Sequence, residues 1–139
     1  MEYKRFGNKI LVRVDKGEDI VTALKALAAK ENVKVASVSG LGAVNDVTVG
    51  LFVTGEKTYR SNRFTGDMEI VSLTGSVTSM KGAPYLHMHM SVADHDGTVV
   101  GGHLDRAVVS ATCEIMLDVA DGSVDRAFDA DIGLNLIRF

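Results

Sequence analysis

Pro84-Tyr85-Leu86-His87-Met88-His89-Met90-Ser91-Val92-Ala93-Asp94-His95-Asp96-Gly97-Thr98-Val99-Val100-Gly101-Gly102-His103 holds all four histidines of the chain. The run before Asp94 has strand character. On a strand, residues i and i+2 share a face, so His87 and His89 stand side by side. Asp94-His95-Asp96-Gly97 is a turn signal and a second β-prone run follows it, which predicts a hairpin. With a His95-Asp96-Gly97 loop and Gly97 left-handed, Asp94 opposes Thr98 and His89 opposes His103 on the same face. A loop one residue longer would turn His103 away, unless a bulge at Gly101-Gly102 restored it.

Three neutral imidazoles with a fourth position open describe a site for zinc or another divalent transition metal. The same spacing also describes polar residues on a wetted strand face, or histidines satisfied inside a core. Spacing alone leaves both readings standing. His95, at the turn tip, is expected to be exposed and not a ligand.

A chain of 139 residues fits one domain, 1–139, with a core of useful size. Fourteen glycines among short apolar runs, with one proline and no tryptophan, suggest a β-rich fold with tight turns. The formal net charge of −3 argues against binding nucleic acid by bulk electrostatics, and leaves room for a local basic patch. The lone cysteine, Cys113, forms no internal disulfide and suits a reducing cytoplasm. No signal-peptide pattern or membrane-length apolar run is seen, so a cytoplasmic protein with no membrane partner is expected.

Working outward, Tyr3 to Phe6 and Lys9 to Asp15 flank Gly7-Asn8 and predict a first hairpin. Residues 17–32 predict one helix, with Ile20, Leu24, Leu27 and Ala28 on one face and Glu18 and Asp19 in its first turn. Residues 33–42 predict a strand ending at Gly40-Leu41-Gly42, and residues 43–53 a further strand. A phosphate loop needs a helix at that point, so nucleotide binding is not expected there. Residues 57–64 carry Lys57, Arg60 and Arg63 and read as a guarded edge strand. Residues 67–80 alternate, with Gly75 marking a bulge or a close contact.

In residues 105–119, Ser110, Thr112 and Glu114 share one face, and Val109, Ala111, Cys113, Ile115 and Leu117 the other. Cys113 is therefore expected in the core. Glu114 and Arg106 are the candidate catalytic side chains near the histidines, and Glu114 reads equally as a solvated glutamate or an ion-pair member. The apolar end of the chain, residues 133–139, is expected to dock on its own sheet or on another subunit. One helix against many strands gives an α+β fold on a largely antiparallel β-sheet.

Several of these stretches together resemble the PPC domain family (plants and prokaryotes conserved, also DUF296). They are Ser39-Gly40-Leu41-Gly42-Ala43-Val44, Glu69-Ile70-Val71-Ser72-Leu73-Thr74-Gly75-Ser76, Leu86-His87-Met88-His89, Gly101-Gly102-His103-Leu104 and Val109-Ser110-Ala111-Thr112-Cys113-Glu114-Ile115. The resemblance implies a homotrimer. It points to the stand-alone prokaryotic type, because the Arg-Gly-Arg-Pro core of the plant AT-hook is absent. A DNA-associated regulatory module is the alternative function that the family suggests. The fold is also similar to acetolactate decarboxylase, whose zinc is held by an HxH pair and a later histidine. That likeness favours a metal at His87, His89 and His103, with a small oxygen-bearing molecule as ligand.

Overall fold

The computed structural model describes residues 1–139. Strands β1 (Glu2–Phe6) and β2 (Lys9–Asp15) form the expected hairpin about Gly7-Asn8, with Phe6 opposite Lys9. The helix α1 (Ile20–Lys30) follows, then β3 (Ala36–Val53), β4 (Thr58–Met80), β5 (Ala83–Ala93) and β6 (Val99–Val119). A short hairpin, β7 (Asp125–Asp129) and β8 (Leu134–Arg138), ends the chain. The six-stranded sheet runs β1-β2-β6-β3-β4-β5, and every pairing in it is antiparallel.

β6 also pairs with β5, so β6, β3, β4 and β5 close on themselves like a small barrel. β6 changes partner along its length. Its Thr112–Asp118 end pairs with β2, and its Val99–His103 end pairs with β5. The gap between those partners is filled by the chain entering the helix. Gly17 donates to the Val109 carbonyl and Val109 donates to the Glu18 carbonyl, at 2.8 and 3.0 Å.

The helix is shorter than its apolar pattern suggests. Asp19 is its N-cap and accepts from the Thr22 amide at 3.0 Å, so Glu18 and Asp19 lie outside the first turn. The other carboxylate oxygen of Asp19 accepts from the Ala107 amide of β6 at 3.0 Å. One side chain thus stops the helix and ties it to the sheet, and such a cap contributes about 0.5–2 kcal/mol. The expected stripe is buried as read, joined by Ala23.

The strands are longer than the sequence suggests. β3 runs through Gly40-Leu41-Gly42 without ending, because a bulge absorbs the irregularity between Gly40 and Ala43. The basic run and the alternating run merge into β4. Its bulge lies between Ile70 and Ser72, and Gly75 is a close contact opposite Met88. Ala111 is exposed, not buried with Val109 and Cys113. β6 uses four residues from Val109 to Cys113 where β3 uses two from Val44 to Gly42, so the alternation slips there.

The buried apolar side chains form one cluster inside the barrel and under α1. Cys113 is in it, fully buried, and burial pushes its thiol up to about 12. That fits a core residue and not a nucleophile. The terminal hairpin is tied to β4 just before β7, where the Ser79 amide donates to the Val124 carbonyl at 2.9 Å. Phe128, Ile137 and Phe139 stay exposed on it.

Candidate metal centre

The turn after β5 has the expected form. Asp94 donates to the Thr98 carbonyl and Gly97 to the Asp94 carbonyl, at 3.1 and 3.0 Å. Gly97 sits at φ +77, which a residue with a Cβ adopts only at a cost. The Asp94 side chain braces the loop by accepting from the Asp96 and Thr98 amides. Three loop residues fix the register, and His89 lies directly opposite His103. His95 is exposed at the tip.

Met88 and Met90 point into the core, so His87 and His89 point out of the barrel. The three rings form a nearly equilateral triangle, with centroids 5.5, 5.3 and 5.5 Å apart. One nitrogen from each lies within 4.8 Å of the others. A point shared by atoms so spaced is at most ~2.8 Å from each, and small ring rotations bring that to the ~2.0–2.1 Å of a zinc–imidazole bond. The hydrogen bonds around the triad run between other groups, which leaves these nitrogens free.

Two hairpins wall the triad into a cleft of about 610 Å³. The β3–β4 hairpin contributes Gly50, Leu51, Phe52 and Tyr59, and the terminal hairpin contributes Arg126, Leu134, Asn135 and Leu136. Burial in this cleft is the main cause that lowers the protonation of His87, followed by His103, Arg126 and His89. Burial also lowers His103, against a smaller upward pull from Asp105. Both rings are therefore neutral near pH 7, the state a metal ligand needs.

Tyr59 meets His103 edge-on, with centroids 6.0 Å apart, and its hydroxyl donates to Asp105 at 2.8 Å. Burial first and Asp105 second raise the phenol well above its usual range, so it keeps its proton. Gly50 is needed here, because a Cβ at that position would collide with the Tyr59 hydroxyl and ring. Across the cleft, the Arg126 guanidinium lies 4.7 Å from the Tyr85 ring centroid.

The two candidate catalytic side chains are not brought to this cleft. Glu114 is exposed, opposite Arg13 and Leu41, and lies roughly 35 Å along β6 from His103 at ordinary strand rise. Arg106 is held by Asp46, which also takes two hydrogen bonds from Arg63 at 2.8 and 2.9 Å. Those two arginines hold the Asp46 carboxyl far below the usual carboxylate range. The cationic residues of 57–63 are likewise engaged, with Lys57 on the Ala130 carbonyl and Arg60 on Glu56.

The polar residues that do line the cleft, Tyr59, Tyr85 and Arg126, carry no motif. Arg126 leaves one faint trace in the sequence. It alternates with Val124 and Phe128, where a buried strand face would carry an apolar residue.

The model of the Plants and Prokaryotes Conserved (PCC) domain matches residues 1–121. A solved structure of a candidate DNA-binding protein from Bacteroides thetaiotaomicron is 33% identical, with a TM-score of 0.97, over 99% of this chain and 96% of that one. A metal-containing protein from Archaeoglobus fulgidus is 32% identical, with a TM-score of 0.86, over 97% and 95%. A Staphylococcus aureus protein of unknown function, similar to alpha-acetolactate decarboxylase, shares 13% identity and a TM-score of 0.58 over 83% of this chain and 53% of that one. That last likeness concerns the fold alone. No curated protein matches. With most of its length matched by the family model and its strands laid out as in these relatives, the chain belongs to the Plants and Prokaryotes Conserved (PCC) domain family.

Proposed function

We propose that this chain, acting as one domain over residues 1–139, holds a divalent transition metal, zinc first, through His87, His89 and His103. The ion serves a small oxygen-bearing ligand in the cleft. One observation carries the reading: three imidazoles without protein partners converge on the floor of a walled cleft. The Archaeoglobus relative, described as metal-containing, supports it. A bound ion would supply Lewis acidity, polarising a ligand oxygen or acidifying a water. The chain's own residues hold His87 and His103 neutral, line the cleft with Phe52 and Leu136, and keep a protonated phenol beside His103. Elemental analysis of protein purified without a histidine tag tests this. About one ion per chain is expected, and none in His89→Ala; a metal-free wild type sinks the reading.

The protein is also proposed to assemble as a homotrimer. Leu41, Val71 and Leu11 are exposed on the sheet, and apolar surface of this kind marks a contact between subunits. Sedimentation should give three times the 14.8 kDa chain mass.

A DNA-associated role, as in the description of the Bacteroides relative, is the second reading. Arg60 and Arg63, its best phosphate contacts, already pair with Glu56 and Asp46. A low-salt gel shift is therefore expected to show no retardation.

A further inference from the structure

The wall of the cleft contributed by β7 carries a cation with no counter-charge. Arg126 is only 8% exposed. Its Nε donates to the Thr78 hydroxyl at 2.8 Å and its Nη1 to the Asn135 carbonyl at 2.9 Å. Both acceptors are neutral. Nη2 has no acceptor in the protein and keeps contact with solvent where the residue borders the cleft. The chain has seven arginines. The other six each meet a carboxylate: Arg5 with Glu31, Arg13 with Asp15, Arg60 with Glu56, Arg63 and Arg106 with Asp46, and Arg138 with Asp129. Those six lie at the surface, where pairing matters little. The one that is buried, where an unpaired charge is costly, has none.

A guanidinium does not shed its proton, so that cost is not relieved by neutralisation. An anion entering the cleft would relieve it. Thr78 and Asn135 hold Nε and Nη1, and the Tyr85 ring lies against the group, leaving Nη2 free. A planar fork held in this way matches a carboxylate. One guanidinium balances the single charge of a carboxylate and leaves a phosphate dianion half compensated, in a chain whose net charge is −3.

Resting on the metal reading above, we propose that the cleft takes small organic acids, and that Arg126 is the residue that selects the carboxylate. The carbon skeleton lies against Leu51, Phe52 and Leu134.

The full-length protein is titrated with isobutyrate, with its neutral isostere isobutyramide and with inorganic phosphate, followed by ligand-observed NMR. The titrations are run on the metal-loaded and metal-free wild type, Arg126→Lys and Arg126→Gln. In metal-free wild type only Arg126 supplies a preference for the acid, and the acid is expected to bind about tenfold or more tighter than the amide. Arg126→Gln should lose that preference with unchanged metal content, and Arg126→Lys should keep part of it. Equal binding of acid and amide by metal-free wild type overturns the proposal, as does a preference that survives in Arg126→Gln. Phosphate binding more tightly than isobutyrate overturns the carboxylate assignment. A chain that takes no metal but still prefers the acid through Arg126 overturns the metal reading and leaves this one standing. A metal-loaded chain indifferent to Arg126→Gln does the reverse.

Discussion

Along β6, Thr112–Leu117 lies between β2 and β3, whereas Val99–His103 lies between β5 and β3. At the first end, Cys113, Ile115 and Leu117 point inward and are fully buried, while Glu114 and Thr112 face open water. At the second end, Leu104 points inward just as firmly, but His103 on the outward face meets two hairpins and not bulk solvent. The backbone is the same strand at both ends. What differs is the cover over the outer face. An outward side chain without cover from its own chain keeps its water. An outward side chain under cover loses water, and with it the ease of taking up a proton.

The largest effect is expected at the packed end. Ile115→Ala should destabilise the fold by about 2–5 kcal/mol in urea denaturation, because it leaves a cavity at a fully buried core position. Metal content per folded chain should not change. A loss of metal comparable to the loss of stability would erase the distinction between the two ends.

Next comes His103→Ala at the covered end. The metal-free variant should lie within about 1 kcal/mol of metal-free wild type, because a partly exposed polar ring is removed. Added zinc should raise the melting temperature of the wild type and leave that of the variant unmoved. An equal rise in both would separate zinc from this triad.

Gly50→Ala sharpens the role of the cover. The new methyl must displace Tyr59 and break its bond to Asp105, at a cost of about 1–2 kcal/mol. Tyr59→Ala should absorb most of that cost in the double variant, read by a double-mutant cycle. Additive losses would show that the clash lies elsewhere.

The smallest effect concerns the ion pairs between the two ends. Asp46 has a folded pKa far below the unfolded value of about 3.9. Its contribution is therefore present above about pH 4 and is lost as the pH falls further, because the unfolded chain takes up the proton first. Urea midpoints of Asp46→Asn should fall below wild type at pH 6 and converge with it in acid. A constant gap at every pH would contradict this.

The hairpin that carries the triad was legible because its turn residues fix an odd loop and the loop fixes the register. The helix face was legible for a similar reason, since one apolar stripe leaves one way to pack. Glu114 was misplaced for a reason of scale. A place on the strand that carries His103 says nothing about distance when that strand runs from Val99 to Val119, and a bulge intervenes. The Gly40-Leu41-Gly42 run looked like a chain break because a bulge uses the same residues as a turn. Arg126 and Tyr59 were out of reach. Each arrives from a separate hairpin, and no local spacing links either to the histidines.

β2 finds its partner about a hundred residues later, with Lys9 set against Asp118. During synthesis the first hairpin must therefore wait beside a formed helix, its outer edge unoccupied, until nearly the whole sheet has left the ribosome. Such non-local closure belongs to the millisecond-to-second class of folding. It makes the exposed β2 edge the place where a nascent copy is most open to capture by a neighbour or a chaperone.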